Sequence, residues 1–281
     1  MAGRTTSEQR EGREAVPPDS LGRLHFDPIL MWQLPWRPGT ADDTEGAAMV
    51  HDDTGALVAV AVDGPSGSGK SSTARGVAAR LGWNYVDTGA MYRALTWWMI
   101  REDVDVNDPA AVSARVAEPL LDISVDPQEH MVFIDGDDVS AEIRDPKVTS
   151  SVSAVSAVPK VRERLVEIQR EIMERGPVVV EGRDIGTVVA PDAAVKVFLV
   201  ATTEVRAERR AAEWADAHGI TVERTAAMLD HRDHMDSTRE LSPLTQADDA
   251  VVIDSTSMTL DEVIDRVIDL VRERVPGYAS P

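Results

Sequence analysis

A chain of 281 residues with 43% hydrophobic and 28% charged residues has the composition of a soluble globular protein, with room for one α/β domain and some additions. The formal net charge of -20 argues against a general surface for nucleic acids or anionic membranes, because such partners need clustered positive charge. The absence of cysteine excludes disulfide bonds, thiol catalysis and thiolate metal sites.

The first 56 residues mix charged residues, proline and glycine around one short apolar stretch, HFDPILMWQLPW. This pattern predicts a mostly disordered N-terminal extension over residues 1–56, followed by a folded domain over residues 57–278. No apolar run reaches membrane-spanning length, and the first residues lack the apolar core of a signal peptide. We therefore expect a cytoplasmic protein without nucleic-acid or membrane partners.

From residue 57 onward, strand and helix patterns alternate. LVAVAVD is a continuous apolar run, typical of a strand buried on both faces, and it ends at a glycine-rich turn. SSTARGVAARLG then predicts a helix, WNYVD a second strand and AMYRALTWWMIRED a second helix. Strands that alternate with helices indicate a parallel sheet.

The stretch over residues 121–139, LDISVDPQEHMVFIDGDDV, breaks this alternation. It predicts two short strands around a turn, within a small insertion over about residues 121–150. Beyond it, VPKVRERLVEIQREIMERG predicts a helix, PVVVEGRD and VKVFLVA predict buried strands, and two further helices, a strand (AVVIDS) and a closing helix follow. The predicted fold is α/β, a five-stranded parallel sheet wrapped by helices with a small inserted subdomain.

The glycine-rich turn satisfies the pattern G-x-x-x-x-G-K-[ST] between a buried strand and a helix, which is the context of a true P-loop. Backbone amides and the helix N-terminus would surround the phosphates, Lys70 would reach the outer phosphates, and Ser71 would bind the Mg²⁺ that ATP carries. The candidate ATP-binding residues are Gly64, Pro65, Ser66, Gly67, Ser68, Gly69, Lys70, Ser71 and Ser72. The guanine-reading pattern N-K-x-D is absent, which favours an ATP user over a nucleotide switch.

A second motif, DTGAMYR, follows the second predicted strand, at the edge where open α/β sheets bind ligands. Thr88 opens a helix on which Tyr92 and Arg93 follow, so Arg93 can reach back as a charge-assisted anion clamp. A capped helix with a solvent-facing arginine would leave the same pattern. From these residues alone both interpretations stay open.

Four separated motifs together resemble the bacterial cytidylate kinases: DGPSGSGKSS, DTGAMYR, EGRDIGTVVAPDA and RDHMDSTRELSPL. The resemblance runs from about Leu57 to the last helix. It implies the P-loop nucleoside monophosphate kinase fold and phosphorylation of CMP and dCMP with Mg²⁺ and ATP. It also implies that the insertion is the monophosphate-binding subdomain and that a short lid covers about residues 206–240.

The resemblance also implies roles for single residues, with Lys70, Arg93, Arg183 and Arg239 as the catalytic set. The candidate CMP-binding residues are Arg93, Arg183 and Arg239 for the acceptor phosphate with Tyr92 and Thr88 beside them, Ser153, Arg162 and Asp184 for cytosine, and Arg232 and Asp236 for the ribose. Arg206, Arg209 and Arg210 either extend toward ATP from the lid or form an exposed helix face.

Several residues depart from the family pattern. Glu181 stands where the family often has Asp, Ser71 where many members have Gly, and His and Met lie between the arginine and aspartate of the lid motif. Another small P-loop kinase, acting on UMP, AMP, shikimate or dephospho-coenzyme A, is the nearest alternative, and a non-enzymatic nucleotide-binding regulator is a distant one. We expect a monomer.

Overall fold

The computed structural model describes residues 50–52, 55–218 and 221–278. The extension predicted over residues 1–56 lies almost wholly outside these residues. The described strands are β1 (Leu57–Asp63), β2 (Asn84–Asp87), β3 (Leu121–Ile123), β4 (Val132–Ile134), β5 (Asp137–Asp138), β6 (Val178–Glu181), β7 (Ala193–Val200) and β8 (Val251–Asp254). The described helices are α1 (Lys70–Leu81), α2 (Thr88–Arg101), α3 (Pro109–Arg115), α4 (Pro146–Ser156), α5 (Pro159–Met173), α6 (Thr203–His218), α7 (Val222–Ser237) and α8 (Leu260–Arg274).

The main sheet has the strand order β2-β6-β1-β7-β8, and every pairing in it is parallel. All seven residues of β1 are buried, as the continuous apolar run predicts for a central strand covered on both faces. The five-stranded parallel sheet is therefore confirmed. Its register places Asp87 beside Glu181 and Glu181 beside Val62, so the carboxyl ends of β2, β6 and β1 meet at one level of the sheet edge.

Helices cover both faces of this sheet. On one face α2, α4 and α5 bury a cluster that includes Met91, Met99 and Leu165. On the other face α1 and α8 pack together, with Val77 and Val267 fully buried. The result is a three-layer α/β arrangement in which loops at the carboxyl edge of the strands are free to form a site. Among the described residues, no helix has both the length and the apolar character needed to span a membrane.

The insertion differs in detail from the sequence prediction. It contains a three-stranded antiparallel sheet, β3-β4-β5, where the sequence predicts two strands. The third strand, Asp137–Asp138, has only two residues, and its acidic, exposed pair gives no strand signal.

Two helices next to the insertion also lie outside the sequence prediction. Helix α4 is rich in Ser, Thr and Val, which are weak helix formers, so its composition gives little helix signal although Val148, Val152 and Val155 recur at helical spacing. The start signal is nevertheless present, because Asp145 caps the helix by accepting from the Lys147 N–H and proline follows it at the first helical position. The short helix α3 begins in the same way, at the sequence Asp108–Pro109.

The first described residues fold back onto β1. Val58 N donates to Val50 O at 2.8 Å, and His51 forms an isolated antiparallel bridge with Leu57. Val50 also packs, partly buried, against the apolar cluster under α1 and α8. Among the described residues, Val50 and His51 therefore contact the folded domain although they precede Leu57.

Candidate active site

The P-loop joins β1 to α1 and depends on glycine at its first position. Gly64 has a φ of 147°, and a Cβ placed there would lie 2.1 Å from the Leu199 carbonyl oxygen on the neighbouring strand β7. Any side chain would therefore push the loop away from the sheet. At the other end, Gly69 adopts the left-handed conformation immediately before the helix begins at Lys70.

Lys70 lies inside the loop that it closes. Its side chain is buried, and Nζ donates to the Pro65 carbonyl oxygen at 2.8 Å. Burial lowers the pKa of Lys70 to about 7, and the neighbouring positive charge of Arg183 adds to the effect. The negative charge of Glu181 opposes both effects and raises the pKa of Lys70. The ammonium group is thus held by the backbone in a buried position, where a polyanionic ligand would stabilise its charge.

Helix α6 supports the P-loop from the outside. Arg206 is buried and donates to the Ser66 carbonyl oxygen at 2.8 Å, and it also pairs with Asp233 of α7. Asp233 in turn accepts from the Ser66 N–H at 2.9 Å. Arg209 donates to Ser255, at the end of β8, through both its hydroxyl and its carbonyl oxygen. Arg210 is half-buried and, like Arg209, lines the cavity that contains the P-loop, so the interpretation of these arginines as an exposed helix face is wrong.

The ends of β2 and β6 bring polar groups next to the P-loop. Asp87 caps α2 by accepting from the Ala90 N–H, and Thr88 Oγ1 donates to the Glu181 carbonyl oxygen at 2.8 Å. The Glu181 carboxylate is buried and accepts from the Tyr85 hydroxyl at 3.1 Å. Burial raises the pKa of Glu181 and the charge of Asp87 adds to this, whereas Lys70 opposes it. The two carboxylates therefore repel each other, and Lys70 offsets part of that repulsion.

A group of arginines faces this edge from three other elements. Arg93 on α2 turns toward Asp87 and donates to it at 3.0 Å, so it is not a freely solvated helix residue. Arg183 follows β6 and donates from Nε to Asp236 of α7 at 2.9 Å. Burial alone would raise the pKa of Asp236, but Arg183, Arg232 and Arg239 outweigh it and hold that pKa below its ordinary value. Asp236 therefore acts as the anionic centre of an arginine cluster.

Arg232 and Arg239 complete the cluster from α7 and the segment after it. Burial lowers the pKa of Arg232 to about 9, and the positive charge of Arg183 contributes further. Arg239 donates to the Ser156 hydroxyl at 3.3 Å and to the Ser242 carbonyl oxygen at 2.7 Å. Like charges held this close together create a positive potential that favours an anionic ligand.

The third part of the site is an ion pair between Arg162 of α5 and Asp184. Both side chains are 6% exposed, and the guanidinium of Arg162 lies over the Tyr92 ring at 5.5 Å from its centroid. Burial raises the pKa of Tyr92 to about 12, so its hydroxyl stays protonated. Ser153 lies on the adjacent helix α4. Arg162, Asp184 and Ser153 form one wall of the site, in which the guanidinium is a hydrogen-bond donor and the carboxylate an acceptor.

The P-loop, the arginine cluster and the Arg162–Asp184 pair line one cavity of about 450 Å³, together with Asp87 and Glu181. Of the predicted site residues, the following line it: Ser66, Gly67, Ser68, Gly69, Lys70, Ser71, Ser72, Thr88, Tyr92, Arg93, Ser153, Arg162, Arg183, Asp184, Arg232, Asp236 and Arg239. Gly64 and Pro65 stand behind the lining and accept hydrogen bonds from Arg183 and Lys70 through their carbonyl oxygen atoms. The site residues predicted from the sequence, which span positions 64 to 239, therefore lie together in the folded chain.

Other lining residues were missed by the sequence prediction of the site: Asp87, Ser156, Glu181 and Ser255. Asp87 and Glu181 end two neighbouring parallel strands, so their position at the carboxyl edge of the sheet was a usable signal. Ser156 and Ser255 carry no comparable signal, because only tertiary packing brings them to the cavity.

The model of the family described as "Cytidylate kinase" matches residues 60–273. The chain belongs to the cytidylate kinase family. A cytidylate kinase of Streptomyces avermitilis is 51% identical over 220 residues, covering 77% of this chain and 94% of that protein. One from Streptomyces coelicolor is 50% identical over 226 residues, covering 80% and 96%, and one from Rhodococcus opacus is 51% identical over 217 residues, covering 76% and 95%.

Among solved structures, a gluconokinase from Sinorhizobium meliloti 1021 superposes with a TM-score of 0.40 and 18% sequence identity, covering 78% of this chain and 95% of that one.

In this cytidylate kinase family member, the oxygen-rich corner of the cavity is suited to Mg²⁺. The hydroxyl of Ser71 and the carboxylates of Asp87 and Glu181 line the cavity together, and hard oxygen donors are the ligands that Mg²⁺ prefers. Burial, and after it the neighbouring charge of Asp87, raise the pKa of Glu181, and a divalent cation would favour its ionised form. The residues present therefore fit the ion that ATP carries.

Proposed function

We propose that this chain transfers the terminal phosphoryl group of ATP to CMP and dCMP, giving CDP or dCDP and ADP. The observation that carries the proposal is that a P-loop and a cluster of arginines line the same cavity of about 450 Å³. Membership of the cytidylate kinase family and about 50% identity to proteins named cytidylate kinase support the same conclusion.

The P-loop side would bind ATP. Its backbone amides and the N-terminus of α1 would surround the phosphates, and Lys70 would leave the Pro65 carbonyl oxygen to pair with the transferring group. Ser71, with Asp87 and Glu181 nearby, would hold Mg²⁺. When bound, that ion neutralises charge on the triphosphate oxygen atoms.

The arginine side would bind the phosphate of the acceptor. Arg93, Arg183 and Arg239 approach the cavity from three elements and would orient the acceptor phosphate oxygen in line with the transferring phosphoryl group. Phosphoryl transfer needs mainly alignment and charge neutralisation, which this cluster supplies. Because positive charge is concentrated inside the cavity, a chain with a net charge of -20 can still bind two polyanionic substrates.

The wall formed by Arg162, Asp184 and Ser153 would recognise cytosine. Cytosine carries an amino donor at its 4-position and an acceptor at N3, whereas uracil carries the opposite pair. A carboxylate accepts from the amino group and a guanidinium donates to N3, so UMP would leave buried charges unpaired. Arg232 and Asp236 would hold the ribose.

A coupled assay of ADP release tests the proposal. The purified chain, with Mg²⁺ and ATP, is given CMP, dCMP, UMP, AMP, shikimate or dephospho-coenzyme A in separate reactions. We expect rapid ADP release with CMP and dCMP and much slower release with every other acceptor. Faster release with AMP, shikimate or dephospho-coenzyme A, or release that does not depend on an acceptor, would overturn the assignment.

A further inference from the structure

Asp63 is a buried carboxylate that the proposed reaction does not use. It is the last residue of β1, directly before the P-loop, and its side chain is 5% exposed. Oδ1 accepts from the Ile185 N–H at 2.9 Å and Oδ2 accepts from the Gly186 N–H at 2.8 Å. These two amides begin the turn that directly follows Arg183 and Asp184.

The same loop is tied to β1 on its other side. Gly182 N donates to the Val62 carbonyl oxygen at 3.0 Å, and Arg183 donates to the Gly64 carbonyl oxygen at 3.1 Å. The dipeptide Arg183–Asp184 is therefore held before and after by bonds to the strand that leads into the P-loop. Strand β1, and not only the turn that follows the dipeptide, therefore fixes the position of Arg183–Asp184.

The chemistry of the contact favours an ionised Asp63. Burial raises its pKa to about 6, and the hydrogen bonds from Gly186 and Ile185 oppose that rise. Asp184 adds a repulsive charge and Lys70 an attractive one. At pH 8 the group is a carboxylate, and each oxygen atom serves one amide as a charge-assisted acceptor.

The surroundings leave little room for the loop to take another position. A Cβ on Gly186 would lie 3.4 Å from Asp63 Oδ2 and 3.2 Å from Cδ of Lys196. A Cβ on Gly182 would lie 2.6 Å from Ile185 Cδ1 and 2.8 Å from Thr88 Oγ1. Packing at this density transmits a shift of the carboxylate to the loop.

We propose that Asp63 is a positioning residue that sets where Arg183 and Asp184 stand toward the acceptor nucleotide. The proposal rests on the proposed function, in which Arg183 binds the acceptor phosphate and Asp184 reads cytosine. Misplacing binding groups by about 1 Å costs on the order of 100-fold in such sites. Asp63 directly precedes the P-loop, which would bind ATP, yet its side chain would position residues that bind CMP.

The test compares the wild type with Asp63→Asn, which keeps the shape but offers one acceptor and places an NH₂ group against the other amide. Calorimetric titration at pH 8 measures the dissociation constants of CMP and of ATP separately, and steady-state kinetics give the ratio of CMP to UMP utilisation. We expect CMP binding to weaken by about 10- to 100-fold and the CMP to UMP ratio to narrow. The ATP constant should change by less than about threefold.

Asp108→Asn is the control, because Asp108 also accepts from a backbone amide, that of Ala110, but does so at the exposed start of α3. It should keep both the CMP constant and the CMP to UMP ratio. If Asp63→Asn does not fold, Gly186→Ala decides, since its methyl group would lie 3.2 Å from Cδ of Lys196 and 3.4 Å from the Asp63 carboxylate. It would shift the loop relative to Asp63, so it must also weaken CMP binding while leaving ATP binding nearly unchanged.

Equal weakening of CMP and ATP in Asp63→Asn, or no weakening of either, would overturn the role of Asp63. A wild type that binds no CMP would instead overturn the proposed function, and the role of Asp63 would fall with it.

Discussion

Arg162 and Asp184 form an enclosed ion pair between α5 and the loop after β6, and each side chain is 6% exposed. A buried pair of this kind must satisfy its hydrogen-bonding groups within the fold or through a ligand. Arg162 donates to the carboxylate of Asp184 and, at 3.4 Å, to the Ser156 carbonyl oxygen, while its Nε has no hydrogen-bond partner among the described residues. A nucleobase that offers both an acceptor and a donor would complete this arrangement.

Asp184→Asn should narrow the preference for CMP over UMP. The amide can donate to the 4-carbonyl of uracil, whereas the carboxylate cannot, so we expect CMP utilisation to fall much more than UMP utilisation. Sites that read a base by paired hydrogen bonds can prefer one nucleotide by about 10⁴-fold, so the ratio of CMP to UMP utilisation has ample room to fall. Steady-state kcat/KM for both nucleotides measures it, and Asp122→Asn on the exposed face of β3 is the control.

A melting curve must accompany that measurement, because removing one partner of a buried ion pair destabilises a fold by about 3–5 kcal/mol. Equal falls in CMP and UMP utilisation would mean that Asp184 acts on phosphate geometry and not on the base.

Lys70→Ala should lower turnover by at least about 100-fold, the usual size of a lost electrostatic contribution to a transition state. Folding should persist, because the Lys70 ammonium bonds to one loop carbonyl and fills no part of the apolar core. Single-turnover rates and melting temperature separate the two effects. Lys160→Ala, on the exposed side of α5, should match the wild type in both. Near-normal turnover in Lys70→Ala would remove Lys70 from the mechanism.

The stability of the protein should depend on pH through Lys70. Its pKa is about 7 in the folded chain and 10.5 as an ordinary lysine, so between these values the unfolded chain binds the proton more tightly. The contribution of this group to the free energy of unfolding therefore rises with pH from about 7 upward, by at most about 1.4 kcal/mol per pH unit. Urea denaturation of the wild type and Lys70→Met at pH 7 and pH 9 measures it.

Relative to Lys70→Met, the wild type should have a higher free energy of unfolding at pH 9 than it has at pH 7. A difference that stays constant from pH 7 to pH 9 would contradict the lowered pKa of Lys70.

Tyr85→Phe should weaken the binding of Mg²⁺ while leaving the residues that contact the nucleotides unchanged. The lost hydroxyl is the donor to buried Glu181, and a hydrogen bond to a charged group contributes about 1.5–3 kcal/mol. We expect a lower melting temperature and a higher Mg²⁺ concentration at half-maximal rate. Tyr278→Phe, in the C-terminal turn, is the control for the loss of a hydroxyl. If the Mg²⁺ concentration at half-maximal rate did not change, Tyr85 would have only a packing role.

A chain that starts at Met49 should fold and keep its activity, because it retains Val50, which accepts from Val58 N and packs against the core. A chain that starts at Leu57 loses that contact and should melt at a lower temperature. Activity assays and melting curves of both proteins test this. If the Met49 chain folds but loses CMP phosphorylation, the first 48 residues take part in the site.

The sequence predicts those parts of the site that depend on local pattern. Gly64, Gly69 and Lys70 are spaced for a P-loop, and the apolar run before them places the loop at a sheet edge. The order of the strands explains why the motif around Arg183 meets the P-loop, since β6 lies directly beside β1. No periodicity in the chain predicts that adjacency.

The remaining contacts depend on long-range packing and leave no local signal. Nothing in the residues around Asp63 indicates that its carboxylate bonds to Ile185 and Gly186, and nothing around Arg206 indicates a contact with the Ser66 carbonyl oxygen. The turn Ile185–Val189 is a single π-helical turn, a rare conformation that propensity scales do not predict.

The position of β1 between β6 and β7 has a consequence for how the chain folds. The amide of Ile185 meets Asp63 from 122 residues away in sequence, so the cavity exists only after a very long loop has closed. Non-local pairing of this kind slows folding, and a chain that has formed only its local helices has no nucleotide site. During refolding, recovery of CMP binding should therefore lag behind recovery of helical circular dichroism.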